Sequence, residues 1–442
     1  MLPSVLNIGP FSIHSLRVSM ARAGAALAGG YRLGHSRRRM LAALVALGMA
    51  GGGATWSGLA AAQTANPGAQ PLRIGLIGPF TGPSADFGMP MHNGVRLAVD
   101  EINAAGGYLG RPLELVVKDD TAKPDVGRKL SEELVADKVA ATIGFCNTGV
   151  AQQSLEVFQN ARIPLLIPCA TGTPLTSKYP APESYIFRTS ARDAIQAPFI
   201  VQDIAKRGWT QVAVFADTTG YGEAGLKDVE AALAARQLKP VYVARFATGV
   251  KDLGPELQAA RQAGANVIVG YTLGPENAVI AKGRKAMKWD VPFVGPWTLS
   301  FPFFIDGAKE AAEGALMVQT FIAEPSNERR ASFLANYARK FNPTKISVPV
   351  AAAQGYDTAY LLMHALFGVR ATQLDGPAIK TALENIQRNY YGVVSTYEKP
   401  FSASDKDAVS ANMLYLGQVK NGAVTFAYPE DAKRNLFVQR KQ

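Results

Sequence analysis

From Arg73 onward, short apolar runs alternate with longer stretches whose apolar positions recur every three to four residues. That is the pattern of buried strands separated by amphipathic helices. It predicts strands at 73–77, 113–118, 140–143, 165–167 and 185–188, with helices at 91–103, 125–137 and 151–160 between them. The rhythm then restarts, with helices at 199–207, 221–236, 253–263 and 277–287 and strands at 211–215, 240–245, 266–271 and 292–294. Two α/β lobes are expected, each a doubly wound parallel sheet, the second beginning near Ser190.

The tail breaks this alternation. Helical stretches at 328–340, 350–369 and 376–386 follow one another with no strand between, so they fit best back on the first lobe. The apolar segments 414–419 and 423–427 flank Lys420-Asn421-Gly422, a strong hairpin signal expected to cap the second lobe. The chain would cross between lobes near Thr189, Thr320 and Gly392, a three-crossover hinge around a cleft. The expected first lobe is 72–189 plus 321–391, and the second is 190–320 plus 392–430.

Residues 1–62 read differently. Ser36-Arg37-Arg38-Arg39-Met40-Leu41 opens an apolar stretch that ends in Ala60-Ala61-Ala62 before Gln63, the parts of a cleavable signal peptide of twin-arginine type. Glycines at 48, 51, 52, 53 and 58 interrupt the apolar run, which argues against a retained membrane anchor. The mature protein is thus expected outside the cytoplasm. This leader holds six arginines and no acids, so its loss takes the charge from +11 to +5, with 40 basic against 35 acidic residues. Most of the apparent basicity belongs to the leader, and the remaining Lys and Arg form no dense run, so nucleic acid is not an expected partner.

Catalytic signatures are missing. No Gly-x-Gly-x-x-Gly, Walker lysine or Gly-x-Ser-x-Gly element occurs, and only His92 and His364 lie beyond the leader, without metal-ligand spacing. The chain is read as a non-enzyme with no cofactor and no metal. Two cysteines, Cys146 and Cys169, are compatible with one bridge or with two buried thiols.

Candidate binding groups gather where strands meet helices. The two halves each place an aromatic-Gly pair at a helix entrance, Phe87-Gly88 and Tyr221-Gly222. In the first half, Asn147-Thr148 and Ala170-Thr171-Gly172-Thr173 follow successive strands, so hydroxyls, an amide and free N–H groups could hold an anion such as a carboxylate. Ligands of open α/β sheets collect outside these strand ends.

The segments Arg73-Ile74-Gly75-Leu76-Ile77-Gly78-Pro79-Phe80-Thr81-Gly82, Asn93-Gly94-Val95, Ile102-Asn103-Ala104-Ala105-Gly106-Gly107, Lys118-Asp119-Asp120, Ile143-Gly144, Ala170-Thr171 and Tyr221-Gly222-Glu223 occur in order along the mature chain. In this it resembles the leucine/isoleucine/valine-binding protein family of ABC importers. The resemblance implies a type I periplasmic binding protein: a monomer in the periplasm that closes on a solute and presents it to a membrane permease and its ATPase. It also implies that Asn147, Thr148, Ala170 and Thr171 hold a ligand carboxylate, that Tyr221 covers the ligand, and that Phe87 and Tyr271 line the cleft.

One position departs from the family. After Val294-Gly295-Pro296, where amino-acid-binding members often carry a Glu that pairs with the ligand ammonium, this chain has Trp297. A single indole face recovers only about 0.5–2 kcal/mol of cation–π attraction, far less than a buried ammonium needs. An aromatic or aliphatic carboxylate would suit the site, and Glu276 or Asp217 could restore an acid for a branched-chain amino acid. A ligand-sensing receptor subunit of the same fold is the alternative role.

Overall fold

The computed structural model describes residues 69–343, 345–369, 373–437 and 439–441. The expected leader and its cleavage site lie outside the described residues. The first sheet has five parallel strands: β1 (Leu72–Gly78), β2 (Leu113–Asp119), β3 (Ala141–Ile143), β4 (Leu165–Ile167) and β5 (Ile186–Arg188), in the order β2-β1-β3-β4-β5. Helices α1 (Ala85–Ala104), α2 (Pro124–Ala136), α3 (Thr148–Ala161) and the single turn α4 (Pro174–Ser177) connect them. Both faces of the sheet are covered. Leu76 packs in one apolar cluster with Phe87 and Met91 of α1, while its neighbour Ile77 packs in another with Leu155 and Phe158 of α3.

The second sheet is built from α5 (Asp193–Lys206), β6 (Val212–Asp217), α6 (Gly220–Ala234), β7 (Tyr242–Phe246), α7 (Gly254–Gln262), β8 (Val267–Tyr271), α8 (Glu276–Ala286), β9 (Phe293–Gly295), α9 (Pro302–Ala308) and β10 (Leu316–Gln319). Three helices follow, α10 (Glu328–Phe341), α11 (Pro349–Gly368) and α12 (Gly376–Glu384), then the small ladder of β11 (Tyr390–Tyr391) with β12 (Thr396–Tyr397). Strands β13 (Tyr415–Lys420) and β14 (Ala423–Phe426) form the hairpin foreseen at Asn421-Gly422. Both turn residues take positive φ, 52° and 72°, as a tight hairpin requires. This hairpin adds two antiparallel strands to the second sheet, whose order is β14-β13-β10-β9-β8-β6-β7. The short helix α13 (Pro429–Arg434) follows it.

Helix α11 returns to the first sheet and lies against α1. A Cβ on Gly94 would meet the Ala352 carbonyl oxygen at 2.0 Å, and one on Gly355 would meet that of Met91 at 2.5 Å. The two backbones touch because both residues are glycine. One face of α11 then holds all three crossings. Gln354 donates to Thr320 Oγ1 (3.1 Å), Thr358 and Thr189 share a hydroxyl contact (2.6 Å), and Asp357 accepts from the N–H groups of Val393 and Val394 (both 2.9 Å). Positions 354, 357 and 358 share a face by helical spacing, which is how one helix can grip three strands of chain.

Two helices begin earlier than the sequence pattern suggests. The expected starts at 91 and 199 lie just past Pro90 and Pro198, whereas α1 and α5 start at Ala85 and Asp193. In each, proline is the sixth helical residue, where it gives up the bond its N–H would make to the carbonyl four residues back, and the helix nevertheless continues through it.

Candidate functional site

The carboxyl ends of both sheets face one cleft, and in this structure the cleft is shut. Helices α3 and α6 meet end to end across it: a Cβ on Gly220 would lie 3.1 Å from Gly149 Cα and 2.4 Å from Gln152 Oε1. Thr173 of the first lobe donates to Asp228 of α6 (2.7 Å). The void left between Thr171, Gln196, Trp297, Gln319 and Gln354 is only about 10 Å³. That is space for about one water, so a solute must enter with the lobes apart. Gly220→Ala should oppose closure by overpacking, on the order of 1–3 kcal/mol, and weaken solute affinity roughly 5- to 100-fold in calorimetric titration. Unchanged affinity would show that the α3/α6 contact does not belong to the bound state.

The sequence-predicted residues fall into two groups. Asn147 is the N-cap of α3, yet its side chain caps nothing and Oδ1 has no hydrogen-bond partner. Thr148 accepts from the Gly172 N–H (3.2 Å), tying the two polar loops together. Ala170 accepts from the Ser190 hydroxyl (2.8 Å), and the Thr171 carbonyl accepts from Asp193 N (2.9 Å) and from Arg188 (2.9 Å). Across the cleft, the rings of Tyr221 and Tyr271 lie 5.3 Å apart with both hydroxyls buried, that of Tyr271 beside the Asp193 carboxyl. Tyr271 fits against α6 because residue 225 is glycine; a Cβ there would stand 1.9 Å from its ring.

The aromatic group is separate. Phe87, in the first turn of α1, stacks on Phe301 of the second lobe (5.1 Å), and Phe301 meets Trp297 edge-on (5.0 Å). All three are buried. They form an apolar wall that closes with the lobes.

Neither acid proposed to replace the missing Glu is free. Asp217 accepts from the N–H and hydroxyl of Thr219 and from Leu273 N (3.0 Å). Glu276 accepts from Gly249 N (2.6 Å) and Thr272 Oγ1 (3.5 Å). Both organise second-lobe loops.

The acid buried among the site's polar groups is Asp193, the first residue of α5, which lies ahead of the helix expected at 199–207 and is not among the sequence-predicted residues. It is 0% exposed; Oδ1 accepts from Gln196 (3.2 Å), and Thr171 and the Tyr271 hydroxyl lie beside the carboxyl. Burial, with some repulsion from Asp228, pushes its carboxyl up to about 7 against the opposing pull of Thr171, Arg188 and the neighbouring Tyr271 hydroxyl. Arg188, also fully buried, fixes the Thr171 loop: it donates to the carbonyls of Thr171 (2.9 Å) and Gly172 (2.8 Å), to Thr176 (2.7 Å), and pairs with Asp407 (2.6 Å).

A far larger cavity, about 1240 Å³, opens between α1, α11 and α12, with Ile102, Met363, Phe367 and Ile386 among its walls. Asn103 beside it is bonded to Leu113 at the start of β2, so it sits at the amino ends of the strands and receives none of the polar loops.

The sequence pattern of the family described as periplasmic binding protein matches residues 71–423. The chain is 27% identical over 263 residues to the Leucine-, isoleucine-, valine-, threonine-, and alanine-binding protein of Pseudomonas aeruginosa, covering 59% of this chain and 70% of that protein. Its fold is similar to that of a branched-chain amino acid transporter substrate binding protein from Streptococcus pneumoniae in complex with isoleucine (TM-score 0.68, 23% identity, 80% of this chain and 98% of that one). It is likewise similar to a solute binding protein of an ABC transporter from R. palustris in complex with 4-hydroxybenzoate (TM-score 0.67, 20% identity, 81% and 95% covered). With two parallel-sheet lobes, three crossings and this extent of match, the chain belongs to the periplasmic binding protein family that includes the leucine/isoleucine/valine-binding proteins.

Proposed function

We propose that the chain is the extracytoplasmic solute-binding component of an ABC importer of the branched-chain amino acid type, closing its lobes over a small apolar α-amino acid. The observation that carries the amino-acid reading is Asp193, a fully buried carboxyl beside Tyr271 and Thr171 that forms no ion pair among the described residues. A ligand ammonium would supply the missing charge and hydrogen bond. The ligand carboxylate would lie against the Asn147/Thr148 and Ala170/Thr171 loops, where the start of α3 offers N–H groups and a positive dipole end. Phe87, Trp297 and Phe301 would cover its side chain. Permease and ATPase are the partners this role entails, with the receptor acting as a monomer in the periplasm.

A deaminated or aromatic carboxylate is the second reading, favoured by the same aromatic wall and by the 4-hydroxybenzoate bound in one relative of the fold. Titration calorimetry with leucine and with 4-methylpentanoate from pH 5 to 8 separates the two. An ammonium needs Asp193 ionised, so leucine affinity should rise with pH, roughly tenfold per unit below about 7, and level off above it. The ligand-free protein has the opposite trend, since a raised carboxyl pKa favours the protonated folded state and stability falls as pH climbs from 4 towards 7. Binding of 4-methylpentanoate alone, with affinity flat or falling through pH 7, would overturn the amino-acid reading.

A further inference from the structure

The two binding loops of the first lobe each begin with a cysteine. Cys146 directly precedes Asn147-Thr148, and Cys169 directly precedes Ala170-Thr171. Strands β3 and β4 are paired in register, Thr142 with Leu165 and Ile143 with Leu166. Backbone bonds from Gly144 N to Leu166 O (3.1 Å) and from Ala170 N to Phe145 O (3.0 Å) carry that pairing past the strand ends. The two cysteines therefore sit on adjacent, laterally bonded segments, at a spacing typical of neighbouring strands, about 5 Å, which is within the Cα separation a disulfide spans. Their side chains are in contact within one buried cluster, 3% and 0% exposed, and both are thiols here.

We propose that Cys146 and Cys169 are the site of a disulfide that fastens the two ligand-carboxylate loops to each other. The oxidant is a disulfide of the exported compartment, small molecule or oxidoreductase. One cysteine thiolate attacks the oxidant's S–S bond, giving a mixed disulfide and releasing one thiol; the second thiolate displaces the other half. Two protein thiols thereby lose two electrons and two protons, and one oxidant disulfide becomes two thiols. Burial, contact with Cys169 and the nearby Asp120 all raise the Cys146 thiol, so exchange is slow once the lobe is folded. The bond forms while the lobe is still open to solvent and is then shielded from reductants. It adds a covalent tie to the Gly172–Thr148 hydrogen bond that already joins the loops.

Where the oxidant is met rests on the export reading; the chemistry does not, so the test uses reduced, denatured protein refolded in a glutathione thiol/disulfide buffer. Trypsin cuts after Arg162, between the two cysteines, and unreduced digests should contain residues 139–162 joined to 163–178, separating only on reduction. The oxidised protein should melt on the order of 5 °C above its reduced form, and the Cys146→Ser/Cys169→Ser variant should match the reduced form. Quantitative alkylation of both thiols after refolding without reductant, or a double variant as stable as the oxidised wild type, would overturn the proposal. A receptor that binds no amino acid but still yields the joined peptides leaves this bond standing and sinks only the ligand reading.

Discussion

Asp193→Asn should abolish most amino-acid binding while leaving the fold intact. Truncating one partner of a buried charge pair costs about 2–5 kcal/mol, so leucine affinity should fall roughly 30-fold or more, with the loss greatest above pH 7 where the wild-type carboxyl is ionised. The ligand-free variant should melt no lower than wild type, and somewhat higher at pH 8. The amide keeps the acceptor for Gln196 but removes a carboxylate that burial disfavours. Calorimetry and thermal melts at pH 6 and pH 8 read both effects. Wild-type affinity in the variant would mean that the ligand does not use this carboxyl.

Arg188→Met should do the reverse, destabilising the protein before any ligand is added. The guanidinium is wholly buried and bonded to Asp407, Thr176 and two loop carbonyls. Its loss takes one donor from each of those carbonyls, leaving Thr171 O to Asp193 N and Gly172 O to Leu175 N, and leaves Asp407 with only Thr176 and the half-exposed Arg192. Breaking such a pair costs about 3–5 kcal/mol, visible as a lower urea midpoint. Burial alone would raise the Asp407 carboxyl, but Arg188 and Arg192 hold it below its ordinary value. That pairing stabilises the wild type above the unfolded carboxylate pKa and is lost as pH falls through the depressed folded one. The variant's urea midpoint should therefore change less on acidification than that of the wild type. An equal midpoint at pH 7 would mean that the loop holds its shape without Arg188.

These two residues also mark where sequence reading stopped. Arg188 ends the expected strand 185–188, and Asp193 lies just past it, between that strand and the helix expected at 199–207. The helical pattern begins at 199, past Pro198, whereas α5 begins six residues earlier and includes Asp193. The same displacement occurs at Pro90, so Phe87, expected at a helix entrance, lies inside α1. A proline that costs one helical bond reads locally as a helix start, and only the assembled lobe shows that the helix runs through it. Glu276 and Asp217 attracted notice because acids near strand ends are visible in sequence; their loop hydrogen bonds are not.

The alternation of strands and helices, the Asn421-Gly422 hairpin, the departure at Trp297 and the positions of the polar loops are legible in the residues alone. Each of these follows from local periodicity, turn chemistry or a short motif, interactions between residues close along the chain. Tertiary structure decided what depends on distant segments meeting. It set three crossings on one face of α11, Phe87 against Phe301 across the cleft, Cys146 beside Cys169, and a carboxyl at residue 193 buried with no ion pair among the described residues. Burial and pairing are properties of the assembled lobes, and a carboxylate's role depends on them more than on its neighbours in sequence.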